Sequence, residues 1–433
     1  MKQLIKIIEK DPEGFLDELA HRKADDLDRV LPAVAEIIQQ VRNSGDKALV
    51  ELTRRFDGVE LSPEKFRVSA KEIERAAARI EPELARALEA AYGRICDYHR
   101  KQLENSWFTS GPDGEILGQR ILPVESAALY APGGKAAYPS SVLMGIGAAR
   151  SAGVQRVALF SPPDREAGIN PAVLAAARIA GVEEIYRLGG AQAIAAAAYG
   201  TETIEPVQVI AGPGNIYVTA AKKLVFGTVN IDMLAGPSEI VVLADDTAEP
   251  AWVAADLLSQ AEHDERAGAL LITVSRKLAK IVQQELAAQL ESLPKKEIAG
   301  SSIRDFGAIL LAGSLEQAIS LVNRFAPEHL ELILHDPWAA LGKIRNAGAV
   351  FMGAFTPEAV GDYWAGPNHV LPTGGSARCF SPLGVQVFLK RSSLISFNEE
   401  AFGRAAGPVV RMARAEGLEA HARSIEIRNI RGK

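Results

Sequence analysis

RVALFSPPDREAGINPAVLAAARIAGVEEIYRLGG, residues 156–190, decides the fold. A short apolar run (RVALFSP) leads through turn residues into an alanine-rich segment with helical spacing, and a second run (EIYRLGG) closes on two glycines. Strand, helix and strand in that order place the two strands parallel in one sheet covered by helices. Outward from there the pattern recurs: AALYAP, VQVIAGPG, EIVVLAD, ALLITVS, AILLAGS, LELILHD and AVFMG alternate with further helical segments. Nine runs exceed one comfortable sheet, so two α/β units are expected. Before them, about 115 residues carry apolar positions at three- and four-residue intervals, with Gly45 and Gly58 as stops, and read as helices. The last 45 or so residues are charged, lack strand-like runs and read as a helical tail.

The chain has 433 residues and 48% apolar content, enough for a large core divided among domains. Its net charge of −6 comes from interspersed acids and bases, which argues against nucleic acid or an anionic membrane as partner. The opening MKQLIKIIEKDPEGF carries charges through any apolar stretch, and no segment has the length of a membrane span, so a soluble cytoplasmic protein is expected. Two cysteines, Cys96 and Cys379, are too few for a disulfide framework or a thiolate zinc site and read as packing residues.

Ligands of open parallel sheets gather outside the carboxyl ends of the strands. The strand-to-helix turns here are rich in small residues: YAPGGKAAYPSS, LGGAQAIAA, AGPGNIYVTAA and LAGPSE. Two nucleotide motifs fail on inspection. APGGKAA has Leu129 where a phosphate loop needs its first glycine and Ala136 where it needs Ser or Thr; GIGAAR ends in Arg150 instead of the last glycine of a dinucleotide fingerprint. A dinucleotide would therefore bind without the usual fingerprint.

The seven histidines divide by neighbourhood. His21, His99 and His335 read as structural, the first two on exposed amphipathic helices. His263 lies in LLSQAEHDER, three residues after Gln260, so both project from one helix face as a pair of ligands would, although a solvated helix end has the same pattern. His329 follows Glu328 where Pro327 ends a helix and a strand begins. That pair suits divided proton transfer, as a solvated loop also accommodates it. His369 shares the glycine- and proline-rich GDYWAGPNHVLPTGG with Asp362, and His421 follows Glu416 by five residues in EGLEAHARS.

YAPGG, GGAQAIAA, GPGN, AGPSE, QAEHD, APEHLEL, GDYWAGPNHVLPTGG and EGLEAH, in that order over nearly the whole chain, resemble the histidinol dehydrogenase family. The resemblance implies an α/β fold: two Rossmann-like parallel-sheet units without the GxGxxG fingerprint and with helical N- and C-terminal extensions. It divides the chain into a helical extension (1–26), a discontinuous first unit (27–129 and 239–381), a second unit (130–238) and a helical tail (382–433) reaching the partner's site. It implies a zinc-containing homodimer that oxidises L-histidinol to L-histidine with two NAD; a relative acting on another amino alcohol or diol is the alternative. Position by position, the implied metal ligands are Gln260, His263, Asp362 and His421. Implied substrate contacts are these four together with Ser238, His329, His369 and Glu416; Tyr130, Gln192 and Asn215 match the NAD contacts, and Glu328 and His329 the catalytic pair. Trp364 stands where a smaller residue is expected and Val387 where an acid is usual.

Overall fold

Strands Glu239–Ala244 and Gly268–Thr273 are buried at every position, because helices cover both faces of the sheet they form. In the computed structural model, which describes residues 4–133 and 138–429, they lie at the centre of six parallel strands. The order is Lys6–Ile8, Gly307–Leu311, Gly268–Thr273, Glu239–Ala244, His329–Ile333, Ala349–Met352. A second parallel sheet has five strands: Glu184–Arg187, Arg156–Ser161, Ser126–Tyr130, Val209–Ala211, Asn230–Ile231. All nine expected strands are present. The additional Lys6–Ile8 and Asn230–Ile231 are three and two residues long, too short to stand out as apolar runs. Ser126–Tyr130, which the reading from sequence divides between two domains, pairs as a whole within the five-stranded sheet.

The segment between the first two quoted strands is the helix Pro171–Ile179. Gly190–Tyr199 buries eight successive residues, Ala191 to Ala198, and its alanines let the backbone pack closely beneath the helix Pro12–Asp57. That long helix contributes Val34, Ile37, Ile38 and Val41 to the same core. Gly45 interrupts it with a non-helical φ of 49°, where the N–H of the buried Asp46 donates to Glu202 Oε2 at 2.7 Å; Gly58 ends it at φ 71°.

The chain divides into two compact units. One holds the residues up to Gln102 and Val124–Phe388, with both parallel sheets; the other holds Leu103–Pro123 and the residues from Leu389 onward. The second unit corrects the helical reading at both ends of the chain. Trp107–Ser110, Ile116–Pro123 and Leu389–Ser396 form a three-stranded antiparallel sheet, followed by helices Glu399–Ala415 and Glu419–Asn429. The strand Leu389–Ser396 is exposed along nearly its whole length, so it has no buried face to give its sequence an alternating pattern. No described helix is long and apolar enough to cross a membrane.

Candidate active site

The two parallel sheets present opposite ends to their sites. Tyr130 closes one strand of the five-stranded sheet; Gln192 and Asn215 open the helices that follow two others. All three line one cavity of about 1060 Å³ with Asp57, Arg55, Arg165 and Tyr217. Its walls are built from the carboxyl ends of strands and the amino ends of helices, where unpaired N–H groups favour an anionic ligand. Asn215 caps its helix by accepting from the N–H groups of Tyr217 and Val218, and the Tyr130 hydroxyl accepts from Gly190 N at 3.1 Å. Gln192 is buried and its Nε2 lies 3.4 Å from Asp57, whose carboxyl burial lifts to about 6. At Gly212, φ 115°, a Cβ would meet the Tyr130 carbonyl oxygen at 2.3 Å, so the turn before Asn215 requires glycine. The GKAA of the rejected phosphate loop, residues 134–137 and with it Ala136, lies outside the described residues.

At the six-stranded sheet the expected location is corrected: the candidate residues collect at the amino ends of the strands. His329 begins one strand, and Glu328 and Ser238 immediately precede two. The helix Pro250–Ala261 runs back along the sheet and delivers Gln260 and His263 to the same end. Helix carboxyl termini carry partial negative charge, so this end favours a cation as the other favours an anion.

Ligand atoms of His263, Glu358 and Asp362 all lie within 4.8 Å of one another. Burial pushes the Asp362 carboxyl up to about 7; burial, then the Asp362 and Glu328 charges, push Glu358 well above the usual carboxylate range. Buried carboxylates that resist ionisation beside an imidazole are what a divalent cation would neutralise, so this donor set fits a metal. Asp362 lies on a single π-helical turn, Gly361–Ala365. Nearby, Trp364 stacks under the Arg94 guanidinium at 4.6 Å, which gives this departure from the family pattern a packing role. Val387 lies in the short turn Val385–Phe388, and its carbonyl accepts from Asn230 Nδ2.

His329 is 4% exposed, and burial lowers its pKa to about 3. Its Nδ1 lies 3.1 Å from the Glu239 carbonyl oxygen, which can only accept, so the proton sits on Nδ1 and Nε2 keeps its lone pair. That Nε2 has no hydrogen-bond partner among the described residues and lies 3.7 Å from Glu358 Oε1 and 4.0 Å from Asp362 Oδ1. Glu328, also buried, accepts from the Glu239 N–H at 2.9 Å. His369 joins the site through Nδ1, 3.2 Å from the Asp362 carbonyl oxygen, and Nε2, 3.0 Å from Ser141 Oγ on the helix that follows strand Ser126–Tyr130. Burial lowers its pKa to about 4.

A family model described as histidinol dehydrogenase matches residues 20–429. The chain is 55% identical to the histidinol dehydrogenase of Moorella thermoacetica over 399 residues, 92% of this chain and 94% of that one. To that of Syntrophotalea carbinolica it is 51% identical over 429 residues, 99% of each. The crystal structure of histidinol dehydrogenase from Elizabethkingia anophelis superposes with a TM-score of 0.92 at 37% identity, covering 99% of this chain and 98% of that one.

The chain belongs to the histidinol dehydrogenase family.

It is an oxidoreductase of that family, and the two-sheet α/β architecture expected from sequence is the one observed. Of the residues expected at a histidinol dehydrogenase site, the first unit brings together Ser238, Gln260, His263, Glu328, His329, Asp362 and His369. Glu416 and His421 belong to the second unit, both exposed, at the end of one helix and the start of the next. Reasoning from sequence missed Glu358, Ser141 and Asp57. The first was within reach: Glu358 precedes Asp362 by four residues, the spacing that sets two carboxylates on one helical face. The exposed setting expected for His99 is also corrected. His99 is 0% exposed, its Nδ1 lies 2.7 Å from the Ile95 carbonyl oxygen, and it is covered by Asn368, which binds the Met144 carbonyl.

Proposed function

We propose that the protein oxidises L-histidinol to L-histidine through L-histidinal, reducing two NAD, as the closing step of histidine biosynthesis. The observation that carries this is the buried, unpartnered Nε2 of His329 facing the His263, Glu358 and Asp362 donors. Gln260, His263 and Asp362, with His421 of the partner subunit, would hold one zinc per subunit, which supplies a template for the substrate's nitrogens and orients its alcohol carbon. Tyr130, Gln192 and Asn215 would hold NAD, which supplies the hydride acceptor.

The chain's own groups move the protons. His329 Nε2 accepts the alcohol proton while Nδ1, donating to the Glu239 carbonyl, keeps the ring oriented. Glu328 deprotonates the water that adds to the aldehyde, and His329 acts as base again in the second oxidation. Ser238 and His369, with Glu416 of the partner subunit, complete the substrate contacts alongside the metal ligands. Alcohol, water and two NAD give carboxylate, two NADH and protons.

The second unit supports a homodimer with shared sites. Phe108, Ile395 and Met412 are 74, 70 and 66% exposed on its sheet and helices, apolar area that a second copy would cover. We place the enzyme in the cytoplasm, with neither nucleic acid nor membrane as partner; Cys96 and Cys379 are both free thiols. The test is NADH formation with histidinol, before chelation, after it, and after zinc is returned. Two NADH per histidinol, abolished by chelation and restored by zinc, is expected. One per substrate or none overturns the reading.

A further inference from the structure

Gln260 is the least self-sufficient member of the proposed metal site. Its amide is neutral, and only its oxygen, not its nitrogen, serves as a ligand. The two ends of an amide have nearly the same shape, so packing alone does not choose which faces the cation. Gln260 is 0% exposed, which denies it water as an alternative partner. One orientation satisfies the Glu358 carboxylate: with the NH2 turned to it, the nitrogen lies 3.0 and 3.2 Å from its two oxygens. The same nitrogen lies 3.1 Å from His329 Nδ1, beside the contact of that Nδ1 with the Glu239 carbonyl. Glu358 is held independently: its own N–H donates to Glu331 Oε1 at 2.7 Å, and its side chain is enclosed.

We propose that Glu358 is a positioning residue for Gln260, accepting from its Nε2 so that Oε1 is the atom presented to the metal. With the cation bound, Glu358 would be ionised, and an anionic acceptor behind the amide draws its dipole into line and makes the oxygen a better donor, as the outer partners of metal ligands do. The inference rests on Gln260 as a ligand and predicts a dependence that a fifth direct ligand would not show. A carboxylate at position 260 presents oxygen whichever way it turns, so it has no need of Glu358.

Zn²⁺ affinity of the full-length, metal-stripped protein, measured against a competing chelator, tests this together with the visible spectrum of the Co²⁺ form. Glu358→Gln preserves shape but offers Gln260 an amide that pairs equally well with either end. Zinc affinity is expected to fall 10- to 100-fold. Gln260→Glu combined with Glu358→Gln keeps the number of carboxylates and is expected to recover most of that loss, with a Co²⁺ spectrum of parental coordination number. The proposal is overturned if Glu358→Gln binds zinc as the parent does. It is equally overturned if the double variant is not rescued and the Co²⁺ spectrum reports one ligand fewer, since Glu358 would then itself be a ligand. Gln260→Ala separates the underlying reading: unchanged zinc affinity there removes Gln260 from the metal site altogether, whatever Glu358 does.

Discussion

The turn that carries Asn215 rests on a buried ion pair, and its two halves should not be equally costly to remove. Lys222, on the helix Ile216–Val225, pairs with Asp232; their side chains are 3 and 0% exposed. Lys222 Nζ also donates to the Gly212 carbonyl at 3.1 Å, while Asp232 accepts from the N–H groups of Gly212 at 2.8 Å and Met233 at 2.7 Å. Removing one partner of a buried pair costs about 3–5 kcal/mol, because the other charge is left uncompensated. After Lys222→Met the Asp232 carboxylate keeps two backbone donors, which sets the loss near the lower end, about 3 kcal/mol. After Asp232→Leu the ammonium keeps one carbonyl and the Gly212 and Met233 N–H groups lose this acceptor, which sets the loss near the upper end, about 5 kcal/mol. The double variant contains no stranded charge. What remains is chiefly the Gly212 and Met233 amides without this acceptor, a cost that Asp232→Leu alone also bears on top of its stranded ammonium, so the double variant should be more stable than Asp232→Leu alone. Equilibrium urea unfolding followed by circular dichroism and fluorescence measures the cycle, provided the two transitions coincide. NAD affinity, read by fluorescence titration, should fall in Lys222→Met because the Gly212 carbonyl and the turn leading to Asn215 lose their anchor. Single losses that add in the double variant would refute the reasoning, since the pair would then not be coupled.

Three further outcomes are expected. Glu328→Gln should oxidise histidinol poorly and supplied histidinal, at neutral pH, more poorly still; equal loss in both half-reactions would assign Glu328 to binding. The burial-lowered pKa of His329, about 3, means that an unfolded chain takes up this proton first, near pH 6.5, so the group withdraws stability as pH falls from 6.5 toward 3 but keeps a neutral ring at pH 5. The acid limb of kcat/KM should therefore follow loss of bound zinc, as protons compete for Asp362 and His263, and a fall with the metal fully retained would refute this. Mixing His263→Ala with His421→Ala subunits, with exchange verified by a tag on one variant, should restore about a quarter of the sites if two chains share each site. No recovery despite proven exchange would place each site within one chain.

The sequence alone determined which segments are strands and helices in the two parallel sheets, because burial on both faces writes continuous apolar runs that local spacing can read. It also marked several of the residues that the first unit brings together, since Gln260 with His263 and Glu328 with His329 are local pairs whose spacing survives folding. It was silent where burial is weak. Leu389–Ser396 is exposed and without a patterned face, and Lys6–Ile8 is defined by its pairing with Gly307–Leu311 rather than by its own residues. Tertiary structure alone decided at which sheet end each group of candidate residues gathers. The strands Glu239–Ala244 and His329–Ile333 set their amino ends together, and the return of the helix Pro250–Ala261 puts a helix carboxyl terminus, fit for a cation, beside them. It also decided that Glu358 reaches Gln260 and that Ser141 reaches His369 across more than two hundred residues of chain. Such contacts depend on the meeting of elements remote in sequence, and no local pattern of apolar and polar residues encodes them.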